Sequence, residues 1–269
     1  MTSAVREFRL EDVDHVTDLV RGSFDRRFWP FMVYAQQGIA EFLSVALRFP
    51  TSAPRNRSYV SVGPGGVEGF ADFRVTSDEE AFLSYICVTP QARGRGVATS
   101  LIEQFLANHP KLEHLRLDVF RENAPAIAMY CKLGFRREHS SVWVSRPMPP
   151  ARGAVEIVEL PKSLAALHLY GFCELEVSSA PAPAPAPAPA PVRLGILGNK
   201  VVNCRTPEVF QNDTLLAALR STFEDAETAF AVMAESEVLQ ISVVHSVINE
   251  TDRMSLDISG VNLVRGAKT

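Results

Sequence analysis

The sequence predicts an α/β (α+β) chain. A mixed, mostly antiparallel sheet flanked by helices covers residues 1–147, and a smaller α+β domain covers 154–269. Three observations carry this expectation. Apolar residues recur with period two and with period 3.6 in alternating segments through the first 147 residues. A buried apolar strand runs into a glycine-rich turn that opens a helix, Leu83 to Ala98. Three prolines and a glycine lie together in Pro147–Gly153, the punctuation of a domain boundary.

The elements follow in order. Val5 to Arg9 reads as a short strand, and Glu11 to Arg21 as a helix with Val13, Val16, Leu19 and Val20 on one face. Ile39 to Phe49 is a second apolar helix. Ser58–Val62 and Val67–Val75 flank Gly63-Pro64-Gly65-Gly66 and read as a hairpin. Phe82–Val88 is a strand, Ala98–Ala107 a helix, Leu115–Val119 a strand, Ala124–Leu133 a helix and Phe135–Val144 a last strand.

Beyond the boundary the patterns are weaker. Leu164–Val177 and Val192–Cys204 are too apolar for solvated tails. Between them Ala180–Pro191 is six Ala-Pro repeats. Proline fixes φ and has no N–H to donate, so this stretch is expected as an extended rod of about 37 Å, either a linker or a loop insertion in the second domain. Leu215–Phe223 shows a helical face, and Thr228–Ala234 reads as helix or strand. Val238–Ile248 and Met254–Val264 are expected to pair as a hairpin, with His245 a satisfied core histidine.

Composition narrows the function. Apolar residues make up 46% and charged residues 22%, ordinary for a folded chain. A net charge of −4 without a long basic run argues against a nucleic-acid partner. No stretch reaches the ~20 apolar residues that span a bilayer, and the first residues have no apolar signal core, so no membrane and a cytoplasmic location are expected. Cys87, Cys131, Cys173 and Cys204 are widely separated, which predicts reduced thiols and no metal site.

The chemistry concentrates at Leu83–Ala98. Free backbone N–H groups and the helix dipole converge on such a turn and favour an anion. Gly94 and Gly96 let the backbone approach a bulky group, and Arg93 and Arg95 bring positive charge. A pyrophosphate is the expected guest. The pattern is neither a Rossmann fingerprint nor a P-loop.

Val88–Ile102 (VTPQARGRGVATSLI), with Asp118–Phe135 (DVFRENAPAIAMYCKLGF) about 30 residues on, resembles the two signatures of the GNAT superfamily of acyl-CoA-dependent N-acetyltransferases. The resemblance covers about 5–147. It implies a GNAT-like sheet and acetyl-CoA as cosubstrate. Main-chain groups of Ile86, Cys87 and Val88 would hold the pantetheine arm. The turn Arg93, Gly94, Arg95, Gly96, Val97 and Ala98 would hold the pyrophosphate. Asn123 would bond the pantetheine or cap the following helix, and Tyr130 would protonate the leaving thiolate. The acceptor would be a primary amine of a small molecule or a protein. The sequence departs from the family at the usual general base, where Phe82 stands in place of a Glu. Glu80, Asp72, Glu68 or a water held by Ser84 and Tyr85 are the substitutes, and Phe82 keeps open a noncatalytic acyl-CoA sensor.

Two regions stay open at this level. The aromatic cluster Phe24, Phe28, Trp29, Pro30, Phe31, Met32 and Tyr34 reads as an acceptor pocket, as helix packing, or as the face of a homodimer. Residues 154–269 resemble no family and carry no second glycine-rich turn, which predicts a module for dimerisation, regulation or acceptor closure.

Overall fold

The computed structural model describes residues 3–50, 56–178 and 191–259. The chain forms two compact units, Met1–Leu19 with Phe49–His139 and Asp252–Thr269, and Val20–Arg48 with Ser140–Thr251. These do not follow the expected division into 1–147 and 154–269.

The first unit begins with β1 (Ala4–Glu7) and α1 (Val13–Ser23), of which Val13–Leu19 belongs here. Strands β2 (Asn56–Gly63), β3 (Gly66–Val75) and β4 (Glu80–Val88) follow, then α3 (Val97–Asn108), β5 (His114–Phe120), α4 (Ala124–Lys132) and the start of β6 (Arg136–Pro147). The strand order is β1-β2-β3-β4-β5, antiparallel up to β4 and parallel between β4 and β5. The parallel step follows from chemistry already visible in sequence, because a crossover helix must carry the chain back to the same end of the sheet. The sixth strand beside β5 is the end of β12 (Ser246–Asp257). Arg253 there makes two bonds of 2.7 Å to the Asp118 carboxylate, and the Ile258 N–H donates to the Glu113 carbonyl.

Alternation along the strands assigns their two faces. Ala71, Phe73, Ala81, Leu83, Leu115 and Leu117 pack against Val97, Leu101, Ile102 and Phe105 of α3. Phe73 stacks flat on Phe105, with ring centroids 3.8 Å apart. On the opposite face Phe70 takes the Phe8 ring edge-on. Phe70 shares that face with Asp72 and Arg74.

The second unit takes α2 (Ile39–Arg48), the rest of β6, β7 (Glu156–Val158), α5 (Leu160–Tyr170), β8 (Phe172–Ser178), β9 (Val192–Leu197) and β10 (Val201–Cys204). It continues through α6 (Pro207–Gln211), α7 (Asp213–Thr222), β11 (Thr228–Ala234), α8 (Glu235–Val238) and the start of β12. Its order is β7-β8-β9-β10-β11-β6. The first four strands are antiparallel neighbours, and β10 pairs with β11 in parallel, from Val201↔Thr228 to Asn203↔Phe230. This repeats the ladder β1 to β5 step for step.

The reassignment of Val20–Arg48 has a packing cause. The Gly38 N–H donates to the Tyr170 carbonyl of α5 at 3.2 Å, and Phe42 sits edge-on to Tyr170 and Phe172. Likewise β6 pairs along its second half with β11, from Ser141↔Ala234 to Pro147↔Thr228.

Two expectations about the second half change. Val238–His245 does not form a strand. The chain makes the short α8, then runs irregularly to His245, and β12 continues unbroken from Ser246 to Asp257 where a hairpin turn was expected. Ile241 and Val243 do pack on the core, while Leu239 and Val244 point to solvent. His245 is only half-buried, and its Nδ1 lies 3.0 Å from the Val243 carbonyl. The Ala-Pro repeat lies outside the described residues except for Pro191, and the strands on either side of it, β8 and β9, pair with each other.

Candidate active site

The end of β4 is held unequally. On one edge β3 pairs with it as far as Gly69↔Val88. On the other, the parallel ladder with β5 runs only from Glu80↔His114 to Leu83↔Leu117. The segment Ile86–Val88 lies past the end of that ladder. A register shift at Asp72/Phe73 of the β3–β4 pair marks a bulge, the device that bends a strand and re-aims its side chains.

Beyond β4 a short 3-10 turn, Pro90–Ala92, leads into Arg93–Gly96. Gly94 and Gly96 have φ of +73° and +82°, the left-handed region where a side chain is strained. A Cβ at either position would meet no atom within 4 Å, so the backbone conformation, not crowding, calls for glycine. Gly96 is the N-cap of α3 and offers no side-chain acceptor. The first N–H groups of α3 therefore meet no capping side chain and lie beside an open cradle. Exposed Arg95 reaches Glu68 at 3.6 Å, and the Arg93 Nε donates to the Val88 carbonyl at 3.3 Å. Val97 turns its side chain into the core, and Ala98 is half-buried. The donor set fits a pyrophosphate: converging N–H groups, two guanidiniums and space at both glycines.

Among the described residues of the second unit no glycine turn follows its parallel-paired strand β10. Arg205-Thr206-Pro207 follows β10, and the Thr206 hydroxyl accepts from the Val209 N–H, closing the start of α6.

Asn123 caps α4, its side-chain oxygen accepting from the Ala126 N–H at 3.3 Å. Tyr130 projects from α4 into the core and is 4% exposed, beside the Phe135 ring. Burial, together with the Cys87 thiol, pushes its phenol well above the ordinary value. Of the thiols, Cys87, Cys173 and Cys204 are buried and Cys131 is exposed. Burial raises Cys173 to about 11 and Cys204 to about 12. Among the described residues no group of three metal-ligating side chains forms.

The candidate bases separate clearly. Phe82 lies under two guanidiniums, Arg74 at 5.5 Å and Arg253 at 5.2 Å from the ring centroid. Glu80 accepts from Arg116 at 3.0 Å, and Glu68 accepts from the Ser3 hydroxyl and pairs with Arg95. Asp72 is 2% exposed and accepts from the Ser58 hydroxyl at 2.7 Å and the Asn56 amide at 3.2 Å. Burial pushes its carboxyl up to about 6. Arg253 was missed by sequence reasoning, since nothing local ties it to Phe82.

The aromatic cluster is packing within the second unit. Phe28 is 1% exposed and edge-on to Trp143, and Phe31 lies against Phe230 at 4.7 Å. Arg26 and Arg27 cover Trp29 and Phe28. No helix among the described residues is long and apolar enough to cross a membrane.

Residues 54–137 match the family model of the acetyltransferase (GNAT) domain. A search of curated proteins finds no significant match. Among solved structures, a tandem GNAT protein from the clavulanic acid biosynthesis pathway, solved without acetyl-CoA, aligns with a TM-score of 0.67. It has 12% identity, over 97% of this chain and 100% of its own. A Pyrococcus horikoshii protein assigned as an acetyltransferase aligns with a TM-score of 0.61 and 14% identity, over 96% of this chain and 90% of its own. Residues 54–137 thus match the GNAT acetyltransferase domain family, and the chain as a whole has a fold like that of a tandem GNAT protein.

Proposed function

We propose that the chain transfers an acetyl group from acetyl-CoA to a primary amine, by direct attack within a ternary complex. The observation that carries this reading is the turn Arg93–Ala98: two left-handed glycines, two arginines and an uncapped helix start, placed where β4 leaves β5. In this reading the pyrophosphate sits on the turn, held by the N–H groups of Gly94, Gly96, Val97 and Ala98 and by Arg93 and Arg95. The pantetheine arm extends along Ile86, Cys87 and Val88 in place of the missing ladder. Main-chain donors there polarise the thioester carbonyl, a form of preorganised charge stabilisation, and positioning of the two reactants supplies much of the rate. Tyr130 gives the departing thiolate its proton, the general-acid role open to a phenol placed beside the sulfur. Asn123 fixes the start of α4 and with it the place of Tyr130.

A second reading rests on Phe82. An aromatic ring under two guanidiniums cannot take a proton, which favours an acyl-CoA-binding sensor without turnover. Calorimetry with acetyl-CoA and thiol release with spermidine, a lysine-bearing peptide and a peptide with N-terminal alanine decide between them. Binding with turnover supports the transferase. Binding without turnover for any amine supports the sensor, and absence of binding defeats both.

A further inference from the structure

We propose that Asp72 is the general base of this reaction, taking the proton that the acceptor amine must lose before it attacks. The proposal rests on the acetyl-transfer reading and adds to it the group that Phe82 does not supply.

Position comes first. Strand pairing places three rungs on one face of the sheet: Arg74↔Phe82, Asp72↔Tyr85 and Phe70↔Cys87. Asp72 stands on the middle rung. It is about 7 Å along the strand from Arg74, opposite Phe82, and as far from Phe70, opposite Cys87 in the expected thioester segment. The bulge of the pair falls at this rung and turns Tyr85 onto it. A carboxylate here lies nearer the thioester than the Phe82 position does.

The partners of Asp72 come second. Glu80 and Glu68 are each already paired with a guanidinium, Arg116 and Arg95. Asp72 takes its hydrogen bonds from two neutral groups of β2, Ser58 and Asn56. Arg74 of its own strand is the charge that acts on it, and Tyr85 faces it from β4. An asparagine, with the Asn56 amide turned over to accept from it, would pair with Ser58 and Asn56 without the cost of a buried charge. A carboxyl retained there at a cost to stability marks a functional group. Its raised value, about 6, suits a base working near neutrality.

The step balances. The ammonium gives one proton to the Asp72 carboxylate, through the Ser58 hydroxyl or a single water. The nitrogen lone pair forms the N–C bond, and the C–S bond breaks. The thiolate takes its proton from Tyr130, which regains one from the nitrogen. Asp72 then releases its proton to solvent, leaving amide, thiol and one proton.

The test compares wild type and Asp72→Asn as full chains, with acetyl-CoA and the best amine of the three above, from pH 5 to 9. Wild-type kcat should rise through a limb near 6. In Asp72→Asn that limb should vanish and kcat at pH 8 should fall 10²–10⁴-fold, the usual worth of a lost acid–base group. Acetyl-CoA affinity should stay within twofold, and the Tm should hold or rise. Asp72→Ser, read the same way, serves if the asparagine variant does not fold. A variant with the wild-type limb, or with kcat within threefold, overturns the role of Asp72 while leaving the transferase standing. A wild type that turns over none of the amines overturns both.

Discussion

Replacing Gly96 by alanine separates the two demands on that position. Its φ of +82° costs an L-residue about 1–2 kcal/mol. Nothing adds to this, because the new Cβ meets no atom within 4 Å. At about 2–4 °C per kcal/mol for a chain of this size, the Tm should drop by about 2–8 °C. The same methyl would stand in the cradle where a pyrophosphate approaches the first N–H groups of α3. Acetyl-CoA affinity should then fall at least tenfold, about 1.4 kcal/mol. Gly22→Ala is the control. It lies in α1, its Cβ also meets nothing within 4 Å, and its φ is not positive. It should gain about 1 kcal/mol of helix propensity and leave affinity alone. Differential scanning calorimetry and isothermal titration read both variants. A Gly96→Ala protein that loses the expected stability yet binds acetyl-CoA at the wild-type Kd refutes the placement of the pyrophosphate. Unchanged stability refutes the backbone reasoning.

Three further outcomes follow from named contacts. Tyr130→Phe keeps the ring against Phe135 and should lower kcat 10²–10⁴-fold with coenzyme affinity unchanged; a loss of stability with normal turnover would make Tyr130 a core residue only. Gly38→Ala should cost about 2–4 kcal/mol, from overpacking and a lost hydrogen bond, because its Cβ would lie 2.2 Å from the Leu169 carbonyl oxygen; urea unfolding within 0.5 kcal/mol of wild type would refute that close approach. Asp72 makes stability depend on pH with a definite sign. Its folded pKa, about 6, lies above the ordinary aspartate value of 3.8, so between these values the folded state holds a proton that the unfolded state has lost. Its contribution to stability is greatest below pH 4 and falls by about 3 kcal/mol as pH rises to 6. Wild type minus Asp72→Asn, measured by denaturant at each pH, should show that fall, and a flat difference would refute it.

What was legible in the sequence is what local chemistry dictates. The turn at Gly94 and Gly96 could be read because left-handed φ selects glycine one residue at a time. Helix α3 could be read because Val97, Leu101, Ile102 and Phe105 repeat on one face. Strand pairing is not local. The stretch from Leu239 to Val243 alternates like a strand, yet no ladder forms there, and Leu239 is left 85% exposed. Nothing near Arg253 announces that it reaches Asp118 and Phe82, far earlier in the chain. The repeated ladder of the second unit escaped for a related reason. Its crossover keeps the parallel pair β10–β11 but replaces the glycine turn with Arg205-Thr206-Pro207, so the motif is gone while the topology stays. Asp72 did leave a signal, one acid in the apolar run GFADFRV, but only burial shows what it means.

The late arrival of the strand beside β5 has a consequence for a chain made on the ribosome. The first unit is translated through His139, but the segment that lies beside β5, from Asp252 onward, emerges more than a hundred residues later. At about 5–20 residues per second that is a delay of roughly 6–22 s. Throughout it β5 is a bare edge, able to template pairing with a neighbouring nascent chain. The sequence of β5 blunts the hazard, because His114, Arg116 and Asp118 place polar and charged groups on alternate positions. When the last strand arrives, Arg253 closes onto Asp118 and converts a guard residue into an anchor. The half of the protein that is made first is the half that is finished last.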